Sequence, residues 1–223
     1  MSKARDIADS TTTLDVDGGT IKLDGNYPVG TDNVALGNAA LDDASLSGAA
    51  NTGVGVSALT SNTSGEVNTA VGGYALADNT SGTSNSALGV GALGDNTTGG
   101  TNTGLGKDAL RYNTTASENT AVGYQSLYTN TTGARNTSVG FQALKFSTAS
   151  DNTAVGRAAL SNTSSGANNT ALGSRAGVEI TTGASNVAVG VQSLASNTTA
   201  SNNTAVGYQA GDANTSGYEN VFI

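Results

Sequence analysis

An aliphatic residue followed by Gly recurs three positions after an Asn along nearly the whole chain. The Asn stands at 33, 51, 68, 85, 102, 119, 136, 152, 169, 186, 203 and 220, and nine of the eleven intervals are 17 residues. The first interval is 18 and the one before Asn152 is 16. Low-complexity sequence does not hold such a register, so the spacing marks one structural unit per 17 residues. With Asn as position zero, position three is Leu36, Val54, Val71, Leu88, Leu105, Val122, Val139, Val155, Leu172, Val189, Val206 and Ile223. Position two is Ala, Gly or Ser until Phe222, position seven is Ala or Ser, and position eight is Leu in nine copies, with Gly177 and Gly211 in two others.

These patterns predict a strand of about four or five residues around Thr-Ala-Val-Gly, a bend at Gly, a second segment ending in Leu, and an Asn-Thr-x-Gly return. Alternation places Asn with Ala or Gly on one face and Thr with the aliphatic residue on the other. Stacked units then set each Asn beside its equivalents in a hydrogen-bonded ladder. The Val and Leu rows are expected to turn inward. Gly once per unit and β-branched strand positions argue against helix beyond a single turn at positions five to eight. The expected fold is all-β, an elongated β-solenoid or β-roll over 31–223. At roughly 4.8 Å per rung it is about 50 to 60 Å long. Two large aliphatic side chains per rung make a thin interior, which favours several identical chains, three for preference, wound about a common axis.

Residues 1–30 depart from the repeat. Asp6–Ser10 suits a short helix or a flexible lead, residues 13–17 and 20–24 alternate like the strands of a hairpin around Gly18-Gly19, and Pro28 marks the boundary. This segment is expected to attach or cap the shaft.

Composition narrows the function. The chain has 223 residues with 31 Gly, 4% aromatic and 12% charged residues, and no Cys, His or Trp. The commonest general base and metal ligand is therefore missing, and no cofactor, metal or catalytic residue is expected. A net charge of −8, with no basic residue between Lys22 and Lys107, argues against nucleic acid as a partner. The amino terminus lacks the apolar core of a secretory signal, and no stretch reaches 18 apolar residues.

Several groups carry candidate chemistry. Asp78 and Asp95 share position ten on successive units, which suits a solvated acidic row better than a polysaccharide-cleaving pair. Asp42 and Asp43 read as a soluble loop rather than a cation site. Tyr74, Tyr112, Tyr124, Tyr128, Phe141, Phe146 and Tyr208 could offer sugar-binding faces but occupy different repeat positions, which favours packing between chains. Arg111, Arg135, Lys145, Arg157 and Arg175 could meet anionic glycans, although solubility and ion pairs between chains account for them. Gly89-Val90-Gly91 imitates a nucleotide-binding loop without the Lys-Ser/Thr that one requires.

The Asn-Thr-Ala-Val-Gly phrase resembles the head repeats of trimeric autotransporter adhesins, whose unit is shorter. Asn119-Thr-Ala-Val-Gly-Tyr-Gln-Ser-Leu and Asn203-Thr-Ala-Val-Gly-Tyr-Gln-Ala-Gly look like repeats of tail fibres from bacteriophages of aquatic bacteria, and residues 2–9 are similar to the amino terminus of such fibres. The resemblance implies a homotrimeric virion fibre, joined to other tail or capsid proteins through residues 1–30 and supporting host adsorption. The last unit opens at Asn220 and is incomplete, so either the sequence is truncated or a tip domain lies beyond it, and receptor specificity is then expected outside these residues. An adhesin head, an ice-binding solenoid and a polysaccharide depolymerase are the alternatives, the ice-binding one weakened because Thr occurs singly rather than as Thr-x-Thr.

Overall fold

The computed structural model describes residues 32–223 together with two short strands, β1 (Leu14–Asp15) and β2 (Lys22–Leu23). These two pair antiparallel, Leu14 opposite Leu23 and Asp15 opposite Lys22, as the predicted hairpin requires. The expectations for Asp6–Ser10 and Pro28 lie outside the described residues.

From Asn33 onward the chain is a parallel β-solenoid. Twelve strands, from β3 (Val34–Leu36) to β14 (Val221–Phe222), line up in sequence order in one sheet. Each three-residue strand, shorter than predicted, pairs with the equivalent residues of the next coil, as in Thr103↔Thr120, Gly104↔Ala121 and Leu105↔Val122. Identical coils superpose, and the two off-period units absorb their differences elsewhere. Thr137 still pairs with Thr153 and Val34 with Thr52.

Among the described residues there is no helix, and the single turn allowed at positions five to eight is absent for a backbone reason. Positions six and eight both lie in the left-handed region, as at Gln125 (φ 51°) and Leu127 (φ 52°). A right-handed helical turn cannot contain them. Left-handed Leu costs about 1–2 kcal/mol. Full burial of the same side chain contributes about 1.5–3 kcal/mol, and the Leu127 amide donates to the Ala143 carbonyl of the next coil at 2.9 Å. The bend at position four leaves room only for Gly. Gly123 has φ 128°, and a Cβ there would stand 2.5 Å from the Gly140 carbonyl oxygen.

The interior is narrower than expected and corrects the placement of the aliphatic rows. Position-eight Leu points inward and is fully buried, whereas the position-three row faces out, with Leu88 50% and Leu172 49% exposed. Strand alternation decides this outcome. Asn at zero and Ala at two already face the interior, so one and three must face solvent. Only small side chains fit at position two where the neighbouring coil keeps its Leu, because that position lies against the opposite wall. A Cβ on Gly104 would lie 3.3 Å from both the Ala109 carbonyl oxygen and Leu93 Cγ. Each rung thus buries one large aliphatic side chain, and a single chain closes its own core of stacked Leu and Ala.

Two stacked Asn columns complete the core. In the first, the Asn85 amide N–H and Nδ2 both donate to Asn68 Oδ1, at 3.0 and 3.1 Å, and Nδ2 also donates to the Gly99 carbonyl at 2.8 Å. Asn102 repeats the pattern onto Asn85. The second column runs through Asn62, Asn79, Asn96, Asn113 and Asn130, each reaching back to its predecessor, as Asn96 Nδ2 does to Asn79 Oδ1 at 2.8 Å. These residues read as turns in the sequence, and their side chains are fully buried. Their hydrogen bonding is internal, which is what permits their burial.

The exceptions in the repeat are compensated in space. Gly177 replaces Leu at position eight, and the vacated volume holds Ile180, which stands where other coils have the second Asn; a Cβ on Gly177 would be 2.9 Å from Ile180 Cδ1. Gly211 makes the same exchange with Phe222, whose Cδ2 lies 2.6 Å from the corresponding point. The one large residue at position two therefore sits against the one neighbouring coil that lacks its Leu.

Candidate interaction surfaces

The outward face of the sheet presents a Thr row at position one beside the Val and Leu row at position three. Both rows run the length of the solenoid because the strands are in register. Between them, Thr69, Val71, Ser86, Leu88, Thr103 and Leu105 line a shallow concavity of about 260 Å³, with Ala87 and Gly104 between the rows. Hydroxyl and methyl groups alternate there, and no carboxylate or cation interrupts the strand positions from Val34 to Phe222.

The opposite side, at positions five to ten, gathers most of the charged and aromatic candidates. Arg111 folds across Gly94 of the preceding coil, and its Nη2 meets Asp95 at 3.0 Å. Asp78 and Asp95 do face along one row. Burial chiefly pushes the Asp95 carboxyl above its ordinary range; the Arg111 charge opposes this and the Asp78 charge adds to it. The pair that could have served as two acids is thus tied up by a cation on one member. Tyr112 and Tyr128 meet edge to face, ring centroids 4.9 Å apart. The contact between their hydroxyls, 3.4 Å, pushes the Tyr128 phenol up to about 12, with burial adding to the shift. Lys145 lies 4.9 Å over the Phe146 ring. Tyr124 and Phe141 stack at 5.4 Å along position five, and beside them Gln142 donates to Gln125 at 3.0 Å. The structure therefore brings Tyr112, Tyr124, Tyr128, Phe141 and Phe146 onto adjoining rungs, while Tyr74 and Tyr208 lie on distant coils, exposed.

Arg135 makes a two-pronged pair with Asp151, at 2.7 and 2.9 Å, which the sequence spacing did not single out. That contact holds the Asp151 carboxyl below its usual range and raises Arg135. Both groups are largely solvated, so the pair orients the surface more than it stabilises the fold. Asp43 Oδ1 accepts from the Ser45 amide at 2.7 Å in an ordinary side-chain turn. Gly89 is the position-four corner, with φ 137°, where the bend requires Gly, and Gly91 stands at position six, φ 69°, in the left-handed conformation that Gln125 adopts in its own coil. Among the described residues no three carboxylates come together where they could hold a metal ion. Comparison with protein-family models, curated proteins and solved structures finds no match.

Proposed function

We propose that this chain is a structural fibre shaft, a phage tail fibre segment that assembles as a homotrimer and supports host adsorption, rather than an enzyme. The supporting observation is the continuous uncharged face along the rod, Thr in most coils with Val or Ser in the rest at position one, beside Val and Leu at position three. Over eleven rung spacings of about 4.8 Å and a three-residue strand of about 10 Å, the face covers about 500 Å² per chain. Two such faces together approach the ~1,000 Å² at which specific interfaces begin. Apolar area of that extent on a soluble rod favours a partner, and the partner of matching rung spacing is another copy. In this arrangement the three faces meet at a common axis and residues 1–30 join the particle.

Sedimentation equilibrium of the purified chain tests the assembly. A trimer is expected, with Val122→Lys/Val139→Lys shifting it to monomer while the far-ultraviolet circular dichroism stays unchanged. A wild-type monomer at micromolar concentration would refute the proposal. Gold-labelled antibody against residues 32–223 separates the settings: labelled fibres on phage particles support the virion reading, and labelled bacterial surfaces select the adhesin. The Thr residues stacked in register along the sheet also suit the ice-binding alternative, and a thermal-hysteresis measurement decides it.

A further inference from the structure

Charge is distributed unevenly along the rod. From residue 32 onward, all six basic residues lie between Lys107 and Arg175, and the same interval holds three acidic ones. Residues 32–106 carry six acidic residues and residues 176–223 three, with no cation in either. The middle of an acidic rod is therefore locally cationic. The five clustered aromatics fall inside this same zone, at Tyr112, Tyr124, Tyr128, Phe141 and Phe146.

Within it, positions nine and ten of three successive coils supply Arg111 and Tyr112, then Tyr128, then Lys145 and Phe146. Tyr112 and Phe146 are 41% and 48% exposed. The sole ion pair in this group joins Arg111 to Asp95, and among the described residues Lys145 has no carboxylate within salt-bridge distance. The combination is unusual for a face that only needs to be soluble. It joins one cation free of a carboxylate partner, Lys145, a second, Arg111, held by Asp95, two phenol hydroxyls in contact with each other, and aromatic carbon on which the C–H face of a sugar can rest. Stacked rungs repeat these elements at about 4.8 Å, a spacing of the same order as one sugar unit in an extended chain.

We infer that Arg111, Tyr112, Tyr128, Lys145 and Phe146 form a lateral binding site for an acidic polysaccharide, a chain of sugars bearing occasional carboxylates. Lys145 and the outer edge of Arg111 take the carboxylate, and the Tyr112 and Phe146 rings take the adjoining sugar. The acidic stretches on either side disfavour a ligand with a charge on every unit, such as nucleic acid, because much of its length would face like charge. The inference goes beyond the fibre proposal and needs only the coils from Asp95 to Phe146, so a monomeric rod would retain the site.

Titration calorimetry of the full chain tests it, with a hyaluronan hexasaccharide, which bears a carboxylate on every second sugar, as the acidic probe, cellohexaose as the neutral one and poly-dT as the nucleic acid, at low and moderate salt. Saturable binding of the hyaluronan hexasaccharide is expected, weakened by salt and at least about tenfold tighter than cellohexaose or poly-dT. Lys145→Ala and Phe146→Ala should each weaken it by about tenfold, while Tyr208→Ala, on a distant coil, leaves it unchanged. Absence of binding, equal binding of poly-dT, or binding insensitive to Lys145→Ala and Phe146→Ala would overturn the inference. Sedimentation of the same samples keeps the result separate from the fibre proposal. Chains that associate without binding sugar refute only the lateral site, and monomers that bind it refute only the trimer. If the hyaluronan hexasaccharide merely dissociates trimers, the basic zone serves contact between copies and the inference fails.

Discussion

The Asn column makes the sharpest quantitative test, because one atom of Asn85 can be altered with no change of shape. In the native coil Asn85 Oδ1 accepts from the Asn102 amide at 2.9 Å and from Asn102 Nδ2 at 3.1 Å. Its Nδ2 donates to Asn68 Oδ1 and to the Gly99 carbonyl. Asn85→Asp preserves the acceptor but replaces the donor with an oxygen facing two other oxygens in a site closed to water. An ionised carboxylate there is an uncompensated buried charge, costing about 3–5 kcal/mol. The protonated acid keeps one donor and loses only about one hydrogen bond, about 1 kcal/mol. The sign follows from linkage. The fold raises this carboxyl above its unfolded value of about 3.9, so the variant keeps most of its stability below that pH and loses it as pH rises. Urea unfolding followed by far-ultraviolet circular dichroism, for variant and wild type at pH 4 and pH 7, measures the difference. The expected outcome is a deficit of about 4 kcal/mol at pH 7, shrinking several-fold at pH 4. Asn85→Ala controls for packing, with a deficit of about 2–3 kcal/mol at both pH values. An Asn85→Asp protein as stable as wild type at pH 7, or one whose deficit ignores pH, would refute the buried ladder.

Two further outcomes rest on the irregular coils. Gly177→Leu alone should overpack against Ile180, and Ile180→Asn alone should leave a void; the double variant restores the standard coil, so a double-mutant cycle in urea should give a favourable coupling of about 1–3 kcal/mol. Thr163 occupies the second Asn column with its hydroxyl buried and without a partner. Thr163→Val keeps the shape and removes that hydroxyl, which should raise stability by about 1 kcal/mol, read as a higher urea midpoint.

Much of the architecture was legible in the residues alone. A period of 17 with invariant Gly at position four forces equivalent residues to stack, because a Cβ at that corner collides with the next coil, as Gly123 does with Gly140. The Asn ladder at position zero followed from the same stacking together with strand alternation. What the residues left open concerned depth. Val122 and Leu127 are both aliphatic and both repeat, but Leu127 is fully buried and Val122 is not. The difference comes from how closely the two walls approach, which hydrophobicity does not encode. Likewise Asn96 has the same local surroundings as an exposed turn residue, and its burial depends on partners 17 residues away in each direction.

The candidate surfaces divide in the same way. The uneven placement of cations was visible in the chain, whereas the meeting of Tyr112 with Tyr128 and of Arg111 with Asp95 was not, because those residues hold different positions in successive units. Sequence by itself determined the rung, its length and its order along the rod, since stacking of identical coils follows from periodicity and sterics. Tertiary structure alone decided which side of each rung meets solvent and which exceptions offset one another. Both depend on distances across a core one Leu wide, where Ile180 and Phe222 fill the volumes that Gly177 and Gly211 leave.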